Sequence, residues 1–399
     1  MIKTKLSIVC VIIFETFVIN FCKAEEKTIT PNEIIQEAKE NNPEIKALTQ
    51  KYLSTKQKIV TAKTLEYPQI GSEITNKKPM YSVSQMFPFP GKLSLKGKVA
   101  ENESKIAEQE LNSKIREVVA QVKKSYWMYW LIDKTIETYQ ENIELMKRLW
   151  NIAKTQYAVG KVTQTDVLKA NIELSEIENM LIMLEQERVS TQAELNALLN
   201  RTPESPLGKP EMPEQKEVKY TAKELENLAL KNRPEILAKN FLYEKNVSGL
   251  NLSKKEWFPD IMAGAKLGSM SNTYMVQFAV PLYYKKQNSI VEAMKKEKEM
   301  AEWELQVIKI NTLQQIKDLW TKYESRKKSI RIYETSIIPL TKQTLEITES
   351  GYRVGKNDFL DLLDSQKRYL EYNIEYYRRL AEKGIFFAEL EKVVGVDLE

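Results

Sequence analysis

The chain repeats one long pattern twice, and this tandem duplication restricts its possible folds more than any other feature. Four landmarks recur in the same order, with offsets that run from 191 to 195 residues: Pro43 and Pro234, Pro68 and Pro259, Pro88 and Pro281, and Gly160 and Gly355. Single matches of this kind arise by chance, but four in register do not. We therefore expect the two halves to fold as copies of one structural unit.

Each half contains a helix-forming tract that no single globular core could cover. Residues 92–159 contain no proline, and residues 285–354 contain only Pro339. A continuous helix of that length extends about 100 Å at a rise of ~1.5 Å per residue. In the first tract, apolar residues recur every three to four positions, which predicts the narrow seam of a coiled coil: Leu111, Ile115, Val118, Val122, Tyr126 and Tyr129. After turns at Gly160 and Gly355, return helices are predicted over residues 163–200 and 358–394.

The N-terminus has the composition of a secretory signal. Lys3 and Lys5 precede an apolar run over residues 6–21, and small residues follow near Ala24. Residues 1–24 are therefore interpreted as a signal peptide. A short membrane anchor and lipidation of Cys22 stay open as alternatives.

The rest of the chain divides at a proline-rich segment. Four prolines mark residues 201–220 as a linker: Pro203, Pro206, Pro210 and Pro213. This division assigns residues 25–200 to a first repeat of helix, β-hairpin, long helix and return helix. It assigns residues 221–399 to a second repeat.

Composition argues against an enzyme. The 399 residues include no histidine, which removes the commonest general base and the commonest metal ligand. The net charge of +5 is small for this length and predicts no nucleic-acid surface. We expect no catalytic residue, no metal site and no cofactor. Scattered methionines such as Met294 and Met300 are expected to fill gaps in apolar packing.

Short segments with a two-residue period lie before each long tract. Residues 68–87 and 260–280 predict two β-hairpins, the first turning at residues 77–79. Strands of about nine residues with one apolar face can cross a bilayer when tilted. A sheet in hydrocarbon must close, and four strands are too few, so several copies would pool their strands. The alternative is a small soluble sheet packed against the helices.

The turn residues carry a family resemblance. Residues 87–92 read Phe-Pro-Phe-Pro-Gly-Lys, and residues 351–355 read Gly-Tyr-Arg-Val-Gly shortly before Asp361 and Asp364. Together with the duplicated order of elements, these motifs resemble the TolC family of outer-membrane efflux proteins over essentially the whole mature chain. Residues 87–92 are most similar to members that serve heavy-metal pumps of the resistance-nodulation-division (RND) type.

The resemblance implies a mainly α-helical homotrimer. Three copies would form a 12-stranded β-barrel in the lipid of the cell outer membrane, continued by a coiled-coil tunnel through the periplasm. The trimer would be a passive exit duct that works with a periplasmic membrane-fusion adaptor and an inner-membrane pump, with RND the expected class and metal ions among its substrates. The competing hypothesis is a periplasmic coiled-coil structural or adaptor protein without a pore, which would have no use for the hairpins.

Two groups of functional residues are expected at the inner end of the tunnel. The resemblance implies a periplasmic gate whose members are Asp361, Asp364, Tyr352, Asp166 and Arg353. Some family members bond this gate shut with an arginine, but this chain has Asn357 at that position. The turns around the two landmark glycines are predicted to dock the adaptor, through Gly160, Lys161, Gly355 and Lys356.

Overall fold

The computed structural model describes residues 28–75, 78–268 and 272–398. The segment interpreted as a signal peptide lies outside these residues, as do the turns of both β-hairpins. The first half contains α1 (Pro31–Asn41), α2 (Pro43–Lys63), β1 (Gln69–Thr75), β2 (Lys78–Phe87), α3 (Lys92–Ala158) and α4 (Gln164–Leu198). The second half contains α5 (Ala222–Asn232), α6 (Pro234–Lys255), β3 (Asp260–Gly268), β4 (Asn272–Ala279), α7 (Tyr284–Ile332), α8 (Ile338–Arg353) and α9 (Phe359–Val394).

The long helices lie where the sequence predicts them. Helix α3 covers 67 residues, which corresponds to about 100 Å at ~1.5 Å per residue. The second long tract is divided by a π-helical turn, Tyr333–Ile337, after which Pro339 lies in the first turn of α8. Proline lacks an N–H and clashes with the carbonyl four residues earlier, and the wider π turn accommodates both effects.

The short helices α1 and α5 were not predicted, although each has a clear start signal. Thr30 and Glu33 form a capping box at α1, and Thr221 and Glu224 form one at α5. Reciprocal hydrogen bonds of this kind satisfy backbone donors that a helix start leaves free. Both helices pack their apolar face on the long helix of their own half.

The four strands form one antiparallel sheet in the order β1-β2-β3-β4, so β1 and β4 are its edges. Phe87 of β2 lies opposite Ile261 of β3, which joins the two halves. Pro79, predicted in the first hairpin turn, instead pairs with Ile74 inside the ladder. The apolar face predicted from the alternation is exposed, with Ile74 78% and Tyr274 81% accessible.

The apolar core is distributed along the helices. Val118, Val122, Tyr126 and Tyr129 of the predicted seam are buried against α1 and α4. Met300 is 53% exposed, so the expectation that it fills a gap in the packing is wrong. No helix in the described part of the chain is both long and apolar enough to cross a membrane.

Candidate functional site

The α3–α4 and α8–α9 turns are built alike and lie side by side. Gly160 and Gly355 adopt the left-handed conformation, with φ of 74° and 76°. In each turn the glycine N–H donates to a carbonyl three residues earlier, and the next lysine N–H donates to one five residues earlier. Gln156 Nε2 donates to the Arg353 carbonyl at 3.3 Å, which ties the two turns together. We call these two turns the tips.

The tips present their glycines and flanking residues outward. Apart from the adjacent residues of the chain, no described residue lies within 4 Å of a β-carbon placed on Gly160 or Gly355. Lys161 and Lys356 are exposed, as are Val159 and Val354. The predicted docking residues therefore form one accessible surface.

Tyr352 lies just inside the tips, in the core that α3, α4, α8 and α9 share. Its ring is 4% exposed and packs on Phe359 with the centroids 5.4 Å apart. Its hydroxyl is buried and has no hydrogen-bond partner among the described residues. Burial, and secondarily the negative charge of Asp166, raise the pKa of Tyr352 to about 12. The phenol is therefore neutral at physiological pH and available as a donor.

Asp361 and Asp364 lie on the exposed face of the first turns of α9. Leu362 and Leu363 pack into the tip core, which turns both carboxylates outward. The Asp358 side chain caps α9 by accepting the Asp361 N–H at 2.8 Å. Asp166 has a similar place on α4, where its carboxylate accepts the Thr163 N–H at 3.4 Å.

Within one chain, the two arginines near the gate residues form local ion pairs. Arg353 donates to Glu349 at 2.7 Å, one turn earlier on α8. Arg368 donates to Asp364 at 2.7 Å, a pair that was not predicted from the sequence. The spacing of four residues on a helix was the signal that could have indicated it. Within one described chain, Arg353 thus pairs with Glu349 and not with any of the three predicted gate aspartates, Asp361, Asp364 and Asp166.

Asn357 packs against α8 instead of facing the gate aspartates. A β-carbon on Gly351 would lie only 2.4 Å from Asn357 Oδ1, so the asparagine side chain occupies the space that the glycine leaves. The Asn357 N–H donates to the Gly351 carbonyl at 3.4 Å. Because of this contact, a residue larger than glycine at position 351 would collide with the side chain of Asn357.

A buried polar layer behind the tips was also missed by the sequence analysis. Gln366 Nε2 donates to Asn142 Oδ1 at 2.6 Å, and both residues are buried. Gln366 Oε1 has no partner in the described residues. Lys367 binds Glu173 at 2.5 Å, and this hydrogen bond raises the pKa of the lysine. A polar residue at a core position of α9, next to Leu362 and Leu363, was the available signal.

The described residues hold no group of three or more histidine, cysteine, aspartate or glutamate side chains arranged for a metal ion. The tips combine the exposed carboxylates of Asp361 and Asp364 with a neutral phenol and a basic rim.

Comparison with known proteins relates this geometry to a function. The sequence profile described as "outer membrane efflux protein" matches the chain twice, over residues 34–201 and 225–396. The cobalt-zinc-cadmium resistance protein CzcC of Cupriavidus metallidurans is 21% identical over 370 residues, covering 89% of this chain and 87% of that protein.

Solved structures with the same fold are channels or outer-membrane proteins. The transmembrane channel protein CusC superposes with a TM-score of 0.81 at 13% identity, covering 92% of each chain. VceC, an outer membrane protein of Vibrio cholerae, gives 0.78 at 15% identity and covers 92% of this chain and 97% of that one. The predicted fold class is confirmed, and the soluble-sheet and poreless-adaptor alternatives are wrong.

Proposed function

The chain belongs to the outer membrane efflux protein family, and on this premise we propose that three copies form the exit duct of a tripartite efflux system. The observation that carries the proposal is the sheet, which ends in two edge strands and exposes an apolar face. In hydrocarbon every strand edge must be paired. Three sheets of four strands close into a barrel of twelve, which lies within the range of about 8 to 26 known for such barrels.

The duct continues below the barrel through the long helices and ends at the tips. We assign the exposed tip residues to docking of a periplasmic adaptor: Gly160, Lys161, Gly355 and Lys356. An inner-membrane pump, with RND as the preferred class, loads the duct through that adaptor. The two family-profile matches support the division into repeats of residues 25–200 and 221–399. The duct itself is assigned no enzymatic role.

The gate is proposed at the inner end of the tunnel. Three copies of Asp361 and Asp364 would converge there, and their outward position on α9 supports this arrangement. A ring of carboxylates attracts cations and repels anions. The phenol of Tyr352, buried in the tip core near Asp166, would support the gate from behind as a neutral group, and Arg353 would lie at its rim.

Divalent metal ions are the proposed substrates. The support is the resemblance of residues 87–92 to members serving heavy-metal pumps, together with the similarity to a cobalt-zinc-cadmium resistance protein. A deletion strain should therefore become more sensitive to cobalt, zinc or cadmium, and the intact gene should restore resistance. Unchanged sensitivity to all three ions would refute the metal assignment and leave the channel itself standing.

The channel is tested on the purified protein. Detergent extracts of the outer membrane should yield a particle with the native mass of a trimer, and it should conduct ions in planar bilayers. A protein recovered as a soluble monomer from the periplasm would refute the proposal.

A further inference from the structure

We infer that a cavity beside α9 binds a small organic monoanion, with the ammonium of Lys383 as its counter-charge and apolar side chains around the rest of the molecule. The site is formed within one chain, next to the linker over residues 201–220, and shares no residue with the tips. It is therefore independent of the proposed channel, which assigns no role to these residues.

The cavity lies where four segments of the chain meet. Its volume is about 460 Å³, within the range of about 300 to 1,000 Å³ typical of small-molecule sites. The apolar part of its lining comes from α1, α3, the linker and α9: Ile35, Val119, Trp127, Pro213 and Phe387. Apolar walls of this kind favour a ligand whose body carries few polar groups.

One cation of the cavity lining is buried and lacks a counter-charge. Lys383 is 8% exposed, and its ammonium forms no hydrogen bond or ion pair with a described residue. Two carboxylates lie near enough to interact with its charge, Glu217 and Glu334, but each has a partner of its own. Glu217 accepts from Lys327 at 2.9 Å. Glu334 accepts from the Tyr376 hydroxyl at 2.8 Å. Because a buried ammonium without a partner is costly, an anion beside Lys383 would be stabilised.

The other charged residues of the lining do not supply this counter-charge. Lys123 donates to Glu391, which balances both of these charges. The rest are exposed to solvent or form contacts of their own: Lys39, Glu211, Glu214, Lys216 and Asp397. Among the described residues that line the cavity, Lys383 is thus the charged group that is both buried and unpaired.

A second donor of the same lining is also unsatisfied. Nε2 of Gln215 is sealed from solvent and has no hydrogen-bond partner among the described residues, whereas the Lys383 ammonium is not sealed. Both unsatisfied groups are donors, as a site for an acceptor-bearing anion requires. A molecule in the cavity can reach the ammonium directly.

An indole lies close to this ammonium. A β-carbon on Gly384 would collide with the Trp127 ring, so the ring lies against the α9 backbone one residue from Lys383. Aromatic rings pack well on an indole, and a carboxylate forms strong, charge-assisted hydrogen bonds with an ammonium. The two groups together therefore suit an aromatic carboxylate.

The balance of charge selects a monoanion over a dianion. One free ammonium neutralises one negative charge, and the exposed carboxylates of Glu211 and Glu214 repel a second. Inorganic phosphate carries more charge than this and has no apolar body to contact Trp127 or Phe387. We therefore expect a monocarboxylate with a compact aromatic body to bind and phosphate not to bind.

Fluorine NMR of para-trifluoromethylbenzoate tests the site on the purified, detergent-solubilised protein. The fluorine signal should broaden on addition of the wild type, with a dissociation constant below about 1 mM. Lys383→Met keeps the apolar stem and removes the charge, so it should weaken binding at least about tenfold. Lys39→Met is the matched control, because Lys39 lines the same cavity but is exposed, and it should change binding less than about twofold.

Two further probes separate the charge from the apolar body. para-Trifluoromethylbenzyl alcohol keeps the ring without the charge and reports partition into detergent, so the wild type and Lys383→Met should bind it equally. Inorganic phosphate should not displace the benzoate. The benzoate should also raise the melting temperature of the wild type and not that of Lys383→Met, since a ligand of the folded state stabilises it.

Each alternative outcome overturns a stated part of the inference. Equal benzoate binding by the wild type and Lys383→Met would mean that the lysine is not the counter-charge. Displacement by phosphate would overturn the class of ligand. No broadening by the wild type at about 5 mM benzoate would mean that the cavity holds only water around the ammonium. None of these results bears on native mass or conductance, so the proposed channel is tested separately.

Discussion

The junction between sheet and tunnel depends on one buried lysine, and its removal should have a large effect. The Lys92 side chain is 7% exposed. Its ammonium donates to Asp260 Oδ1 at 2.7 Å and to the Phe258 carbonyl at 2.8 Å. The Phe89 N–H donates to the same carboxylate oxygen at 2.7 Å. Lys92→Met keeps the length of the apolar stem and removes only the charged donor.

The expected cost follows from these contacts. Hydrogen bonds to charged groups contribute about 1.5 to 3 kcal/mol, and a buried partner left unpaired adds its desolvation penalty. Asp260 is 28% exposed, so water would solvate part of its charge and reduce that penalty. We expect Lys92→Met to lower the free energy of unfolding by about 2 to 3 kcal/mol. Adding Asp260→Asn removes the unpaired charge and should recover about 1 kcal/mol.

Guanidinium unfolding of the detergent-solubilised protein, followed by helical circular dichroism, measures these differences. Lys63→Met is the matched control, because its ion pair with Glu101 is half exposed and should contribute less than about 0.5 kcal/mol. If Lys92→Met costs no more than Lys63→Met, or if the Asp260→Asn variant shows no coupling, the reasoning is refuted.

Three further predictions concern the gate, the tips and a buried lysine. Wild-type channels in planar bilayers should be cation-selective, and Asp361→Ala with Asp364→Ala should abolish the selectivity; equal anion and cation permeability in the wild type would contradict the gate. Asparagine at position 355 can adopt the left-handed backbone conformation, whereas valine there costs about 1 to 2 kcal/mol of folding free energy. Both Gly355→Asn and Gly355→Val should reduce efflux without changing the native mass. If only the valine variant reduced efflux, the backbone conformation and not adaptor docking would be the cause. Burial holds the pKa of Lys383 below its ordinary 10.5, so the folded state binds this proton less readily and wild-type stability should rise with pH toward 10.5. Lys383→Met should unfold at a higher temperature than the wild type at pH 7, and its melting temperature should lack that rise with pH. Melting temperatures that change equally with pH in both proteins between pH 7 and 10 would contradict this prediction.

The helical framework was predictable because its signals are local and repeated. The predicted tract over residues 92–159 became Lys92–Ala158, and the return helix over residues 358–394 became Phe359–Val394. The short helix α1 was missed because Asn42 and Pro43 give a strong start signal for the next helix, α2. Thr30 and Glu33 nevertheless mark the start of α1. Pro339 was visible in the sequence, but no break was predicted there, because the π turn that precedes this proline depends on packing and has no composition of its own.

The candidate site was predictable in its residues but not in its pairings. Local turn chemistry identifies Gly160 and Gly355, because a helix end with a left-handed residue favours glycine. The partners of Arg353 and Asn357 depend on how α8 meets α9, which no local pattern specifies. Contacts between copies at the pore axis lie beyond a single chain, so the gate and docking assignments stay predictions.

The π-helical turn Tyr333–Ile337 determines the rotational position, about the helix axis, of the α8 residues that follow it. Each residue added to a helix turns the downstream residues by about 100°. The second long tract has two more residues than the first, since the repeat offset grows from 193 at Pro88 to 195 at Gly160. Deleting one residue from the turn would leave a regular helix but rotate Tyr352 away from the tip core. A deletion in this turn therefore acts on the tip as a rotation of α8 about its own axis.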